Sequence, residues 1–172
     1  LSVLADTAPD VAILIEANGF QDEERRAVLE DALKATAYMA YAPTGFHIAL
    51  LVGSKYDVTF HGQEPGRFFH TATSATIHLT GKAKGGTSIV SKKLTVIGAH
   101  LDPFSPESRL AEARILTRYA NPTGRVILAG DFNELSPSDD LDATVKQLPR
   151  RVLARHMKVP IKGDGEIDSR SH

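Results

Sequence analysis

The sequence has no cysteine among its 172 residues. Disulfide frameworks, thiolate metal centres and cysteine nucleophiles are therefore excluded, although the absence leaves the compartment open. An excess of one charge is missing as well: Lys plus Arg number 20 against 21 for Asp plus Glu, a formal charge of −1. That balance rules out a whole-domain polycation of the histone kind, but not a local basic groove. Long apolar runs are also lacking. The longest, Val11–Ile15 and Ile48–Val52, are too short to span a bilayer. No signal-peptide pattern, internal repeat, low-complexity tract or interdomain linker is visible.

What is present is the mix of a globular domain, 42% hydrophobic and 24% charged, at the length of a single domain. Residues 1–8 read as the last turn of a helix, stopped by Pro9, and residues 163–172 are polar and end without a cap or closing strand. The expectation is one domain over residues 1–172, incomplete at both ends. Its oligomeric state is expected to be monomeric.

Strand-like and helical runs alternate. Val11–Ile15 is wholly apolar, the pattern of a strand buried on both faces. Asp22 caps a helix with Val28, Leu29, Ala32 and Leu33 on one stripe. The next apolar run, Phe46–Val52, leads into a turn at residues 53–57, and Thr73–Leu79 alternates loosely before a loop at residues 81–86. Leu94–Ala99 is a strand. Ser105-Pro106-Glu107 then opens a helix to about Tyr119, ended by Asn121-Pro122-Thr123-Gly124. Val126–Ala129 reads as another buried strand, and Leu141, Val145 and Leu148 mark a last short helix. The class is α/β, with layers of sheet and helix.

Three buried runs end in an ionisable group: Val11–Ile15 in Glu16, Leu94–Ala99 in His100, and Val126–Gly130 in Asp131. A strand that buries its apolar body holds such a group rigidly at the rim of its sheet, where ligand can reach it. The two-residue period of an extended chain sends Asp131 and Asn133 to one side and turns Phe132 into the core. Gly130 lets a neighbouring chain or a ligand approach closely. Taken singly, Asp131 reads as an Asx turn, Glu16 as either a solvated residue or a site residue, and His100 as a structural histidine. Together, two carboxylates, an amide and an imidazole are the parts of a hard-cation phosphoryl-transfer site.

Four segments then resemble, in order, the endonuclease/exonuclease/phosphatase (deoxyribonuclease I-like) superfamily. They are Pro9–Glu16, Gly45–Val58, Leu94–Leu101 with Arg109 beyond it, and Arg125–Asn133, whose Gly130-Asp131-Phe132-Asn133 is the most specific. The resemblance implies a four-layer α/β/β/α sandwich of two mixed sheets. It implies Glu16 as the ligand of Mg2+ or Mn2+, and Asp131 as the group that positions and helps deprotonate the attacking water. Asn133 is implied to steady the phosphate, and His100 to bond a non-bridging oxygen or assist the leaving group. It further implies a metal-dependent hydrolase of phosphate esters acting on a nucleic acid, a nucleotide-like molecule or a phospholipid headgroup. A catalytically silent binding module of the same fold is the alternative. The superfamily's first-strand Asn precedes the range covered here, and its closing Asp-His pair is not found, Ser171-His172 matching it only superficially.

Lys92-Lys93, placed in a loop, and the run Arg150, Arg151, Arg155, His156 and Lys158 read as solvated faces. His47, His61, His70 and His78 lack zinc-site spacing and stay unassigned.

Overall fold

A computed structural model describes residues 2–64, 66–82, 89–121 and 123–134. The element order is α1 (Ser2–Thr7), β1 (Val11–Ile15), α2 (Glu23–Leu33), β2 (Ala35–Ala40), β3 (Ile48–Gly53), β4 (Asp57–Gln63), β5 (Thr71–Lys82), β6 (Ile89–His100), α3 (Pro106–Leu116) with a 3-10 turn (Thr117–Tyr119), and β7 (Arg125–Asp131). The strands form two sheets. The first has the order β1-β3-β2 and the second β4-β5-β6-β7. Described pairs in the first sheet are antiparallel, and the second is mixed because β7 runs parallel to β6.

Side-chain alternation sorts the apolar residues into three interfaces and so defines four layers. On β3, Leu50 and Val52 face the second sheet, where they meet Ala75, Ile77 and Val96 together with Val11 and Ile13. The residue between them, Leu51, turns the other way and packs with Leu29 of α2, Ala35 and the half-buried Ala12 and Leu14. On the far side of the second sheet, Ala72, Ile97 and Ala99 pack with Leu116 of α3. The sheets come close at Gly98, where a Cβ would lie 3.0 Å from Ile13 Cγ2 and 3.3 Å from Ile48 Cγ2. The layers are α2, first sheet, second sheet, α3.

Both long helices start on the expected caps. Asp22 accepts the Arg25 N–H at 3.0 Å, and Ser105 Oγ accepts the Ser108 N–H at 3.1 Å with Pro106 as the first helical residue. The buried stripe of α2 is narrower than the sequence suggests. Leu29 is buried, whereas Val28 is 61% exposed and Ala32 also faces outward. That helix stops at Lys34 in a left-handed turn (φ 49°), and the chain reverses at once into β2.

Two strand assignments need correcting. Val126–Ala129 is a strand, but not a buried one: Ile127 and Leu128, on opposite faces of β7, are both exposed. The reason is topological, since β7 stands at the edge of the described sheet and β6 covers only one flank. Lys92 and Lys93 lie in β6 rather than in a loop, opposite Leu79 and His78. Residues 83–88 and 135–172, which hold part of the expected loop, the last expected helix, the basic run at 150–158 and Ser171-His172, fall outside the described residues. No described helix is long and apolar enough to cross a membrane.

Candidate active site

The site is built where strands of both sheets end together. In the first sheet Ile15 pairs with Ile48, so Glu16 and the loop before β3 share one end. In the second sheet Thr71, His100 and Asp131 form one row across β5, β6 and β7. The antiparallel β5 starts where β6 finishes. His70, one residue before β5, is thereby brought beside His100.

His100 is buried at 2% exposure, with Nε2 3.8 Å from Asp131 Oδ2. Its Nδ1 is buried without a hydrogen-bond partner among the described residues. Burial pushes the imidazole pKa down, and the Asp131 and Glu16 carboxylates pull it partly back up. Glu16 thus faces the same imidazole electrostatically. Its own carboxylate is exposed and carries no hydrogen bond or ion pair among the described residues, and its backbone sits at φ 56°. For a residue with a Cβ that is an uncommon conformation, of the kind that clusters at functional sites.

Asp131 is held from two directions. Its backbone carbonyl accepts the Leu101 N–H at 3.0 Å, and its Oδ1 accepts the Asn133 N–H at 2.8 Å. Oδ2 is left facing His100. Gly130 has φ 151°, and a Cβ there would collide with the Ala99 carbonyl, so the close approach anticipated for this glycine is that of β6. Asn133 leaves the extended geometry at φ 51° and donates Nδ2–H to the Leu101 carbonyl at 2.8 Å, lacing the ends of β6 and β7 together. The strict two-residue alternation across Asp131, Phe132 and Asn133 is therefore broken at its last member. Phe132 borders the cleft beside α3 with Leu116, Val126 and Leu128, and it remains 37% exposed.

A polar brace stands behind these residues. The core-facing stripe of α3 carries Arg109 and Glu112 ahead of Leu116, so two charged side chains lie where apolar ones are the rule. Arg109 donates Nη1–H to the Asp102 carbonyl at 3.1 Å and bonds Glu134 Oε2 through Nε at 3.0 Å and Nη2 at 2.7 Å. Glu112 accepts the Phe69 and Asp102 N–H groups at 2.6 and 2.8 Å. Burial raises the Glu112 pKa, against the pull of those two N–H groups.

His70 is a member of the site that sequence reasoning left unassigned. Its ring stacks on His100, with centroids 4.0 Å apart and planes 19° apart, and its Nδ1 lies 2.6 Å from Thr44 Oγ1. It too lies at a strand end, at the start of a strand antiparallel to β6. The other unassigned histidines have structural roles: His61 and His78 bond Thr76 and Thr59 across β4 and β5, and His47 Nδ1 accepts the Ala42 N–H.

The Endonuclease/Exonuclease/phosphatase family model matches residues 1–165. The chain belongs to that family. No curated protein matches it significantly in sequence. Among solved structures, ANGEL2, a 2',3'-cyclic phosphatase in complex with adenosine-2',3'-vanadate, aligns with TM-score 0.53 and 14% identity over 96% of this chain and 53% of its own. A truncated TDP2 from Caenorhabditis elegans aligns with TM-score 0.50 and 19% identity over 86% of this chain and 56% of its own. A functionally unknown conserved protein from Enterococcus faecalis V583 aligns with TM-score 0.53 and 15% identity, over 85% and 61%. These likenesses show the shared fold. The chain spans between half and two thirds of each of these structures.

Among the described residues no three His, Asp or Glu side chains converge on a single metal position. The donors at hand are nevertheless hard oxygens, with the Glu16 carboxylate free of other bonds. Magnesium keeps several of its waters and needs one or two protein carboxylates, so a lone free carboxylate fits Mg2+ or Mn2+.

Proposed function

We propose that this chain supplies the hydrolytic centre of a phosphoesterase that cuts a phosphodiester by attack of water. The observation that carries the reading is the row His100–Asp131. It is a buried imidazole facing, at 3.8 Å, a carboxylate whose other oxygen is already pinned by a backbone N–H. Asp131 Oδ2 is the free acceptor of that carboxylate, placed to orient a water and take its proton as the new P–O bond forms. The leaving oxygen departs from phosphorus as the older P–O bond breaks and takes its proton from solvent.

The burial of His100 favours one of its two implied roles. An imidazole kept neutral has one N–H to offer and no spare proton for a leaving group. It therefore donates a hydrogen bond to a non-bridging phosphoryl oxygen, stabilising the charge that builds there. Asn133 acts by tying Leu101 to the end of β7, which fixes where His100 and Asp131 meet. Glu16 would hold Mg2+ or Mn2+, whose charge offsets that of the phosphate when it is bound.

Two titrations test this in the whole protein. Hydrolysis of bis(p-nitrophenyl) phosphate should stop on chelation and return with magnesium. In Glu16→Gln, which keeps the shape and removes the charge, both calorimetric metal affinity and turnover should fall. Unchanged metal binding in that variant would remove Glu16 from the role of ligand.

A further inference from the structure

We propose that Phe46, Phe69 and Phe104 form a stacking shelf for the planar base of a nucleotide whose phosphate lies at His100 and Asp131. The proposal rests on the phosphoesterase reading of that site and narrows its substrate to nucleotides or single-stranded nucleic acid.

Five rings run in an unbroken series from the solvent to the reacting groups. Phe104 meets Phe69 edge-on with centroids 5.4 Å apart, and Phe69 meets His70 at 4.9 Å and 90°. His70 stacks on His100 at 4.0 Å. Phe46 spans both imidazoles, 5.1 Å from His70 and 6.3 Å from His100. The buried end of this series is catalytic and the outer end is open: Phe46, Phe69 and Phe104 are 37%, 40% and 52% exposed. Single exposed phenylalanines are ordinary on a protein surface. Phe69 and Phe104 in contact, with Phe46 joined to them through His70 and so to the buried His100, are a patch with a use.

The outer rings are also fixed in place, at a cost a passive surface would not bear. The backbone N–H of Phe69 is held by the buried Glu112, and that of Phe104 by the buried Asp102, each at 2.6 Å. Glu112 bonds the Asp102 N–H as well, so one brace on α3 sets the spacing of both loops. Burying a carboxylate is unfavourable unless it is well bonded, and here the bonds go to the two segments that carry the exposed rings. His70, clamped by Thr44, fixes the inner end.

The shape of the array selects its occupant. The rings form a row leading away from the phosphate position, near perpendicular to their neighbours except where His70 stacks on His100, and do not converge on a point as a cage for a quaternary ammonium would. A flat, rigid group one sugar away from the phosphate can lie along such a row. Nucleobases stack on aromatic side chains whatever their identity, and each stack contributes about 1–3 kcal/mol. A phospholipid headgroup has no planar face to offer.

The test uses three phosphomonoesters, titrated calorimetrically into the whole protein with magnesium: adenosine 5'-monophosphate and ribose 5-phosphate, which have the same charge, and phosphocholine, whose ammonium group offsets one phosphate charge. The nucleotide should bind about 5- to 150-fold more tightly than ribose 5-phosphate, the factor that one stacked base supplies. Phe69→Leu and Phe104→Leu should each shrink that factor and leave ribose 5-phosphate binding unchanged, while Phe69→Tyr should retain it. Equal binding of nucleotide and sugar phosphate would overturn the shelf, as would a preference for phosphocholine. Base-dependent binding without any diester hydrolysis would uphold the shelf and remove the catalytic reading. Hydrolysis with base-indifferent binding would do the reverse.

Discussion

Asn133 holds a left-handed backbone at φ 51° while its side chain bonds the Leu101 carbonyl, so two demands fall on one residue. Asn tolerates that region better than most residues, and Gly tolerates it without cost. Asn133→Ala loses both the amide and the backbone tolerance, whereas Asn133→Gly loses only the amide. Urea melts should place Ala below Gly in stability, with Gly itself down by about 0.5–1.5 kcal/mol for the hydrogen bond. An Ala variant as stable as the Gly variant would show that the backbone there is not strained. His70 carries a second prediction at this scale. Burial and the neighbouring His100 lower its pKa from 6.5 to about 4, against the opposing pull of Asp102 and Asp131. The unfolded chain therefore binds this proton more tightly than the folded one, and stability is lost as pH falls from about 6.5 toward 4. His70→Gln cannot take up that proton, so its urea midpoint should fall less steeply across the same window. Equal slopes would exclude His70 from the acid response. Nothing in the spacing of the histidines announces this residue. It matters because an antiparallel partner brings the start of β5 to the end of β6, a fact of pairing and not of local sequence. Phe132, expected in the core, is legible only in part: it follows a strand that lies at a sheet edge, so truncating it should cost less than the about 3–5 kcal/mol of a fully buried ring.

At the scale of elements, the strands that end in the candidate site residues were the legible ones. β1, the second half of β6 and β7 are apolar runs closed by a charged or polar residue, and each was found within a residue or two of its end. β2 was missed because Ala35, Ala37, Met39 and Ala40 continue the composition of α2, and only the left-handed turn at Lys34 separates them. β4 has no counterpart in the sequence reading beyond the turn that ends at Asp57, since its alternating pattern of exposure hides few strong apolar residues. α3 was read correctly from its cap, but its polar stripe was not, because buried charge is invisible in sequence until its partners are known. Glu112 shows what the stripe does. Its two oxygens accept two backbone N–H groups, from Phe69 and Asp102. Glu112→Gln meets one of them with an NH2 group and leaves a buried donor unpaired. A loss of about 1–3 kcal/mol at neutral pH is expected in urea melts, larger than the relief from removing a buried charge. A variant as stable as the parent would mean that Asp102 and Phe69 are held by other contacts.

Across the whole molecule, the site exists because two sheets end at the same place. Glu16 comes from the first sheet and His100 and Asp131 from the second, and the close contact of Gly98 with Ile13 and Ile48 sets how near they come. No stretch of sequence contains that juxtaposition. The layering followed from the resemblance, and the three apolar interfaces supply its physical cause in the alternation of Leu50, Leu51 and Val52. The measurement that bears most directly on the account is the turnover of Asp131→Asn on a chromogenic phosphodiester with magnesium, beside its thermal melt. Asn keeps an oxygen to accept the Asn133 N–H and nearly the same volume, but it cannot take the proton of a water. The account predicts a kcat lower by about a thousandfold with the melt little changed. Full activity in Asp131→Asn would contradict it.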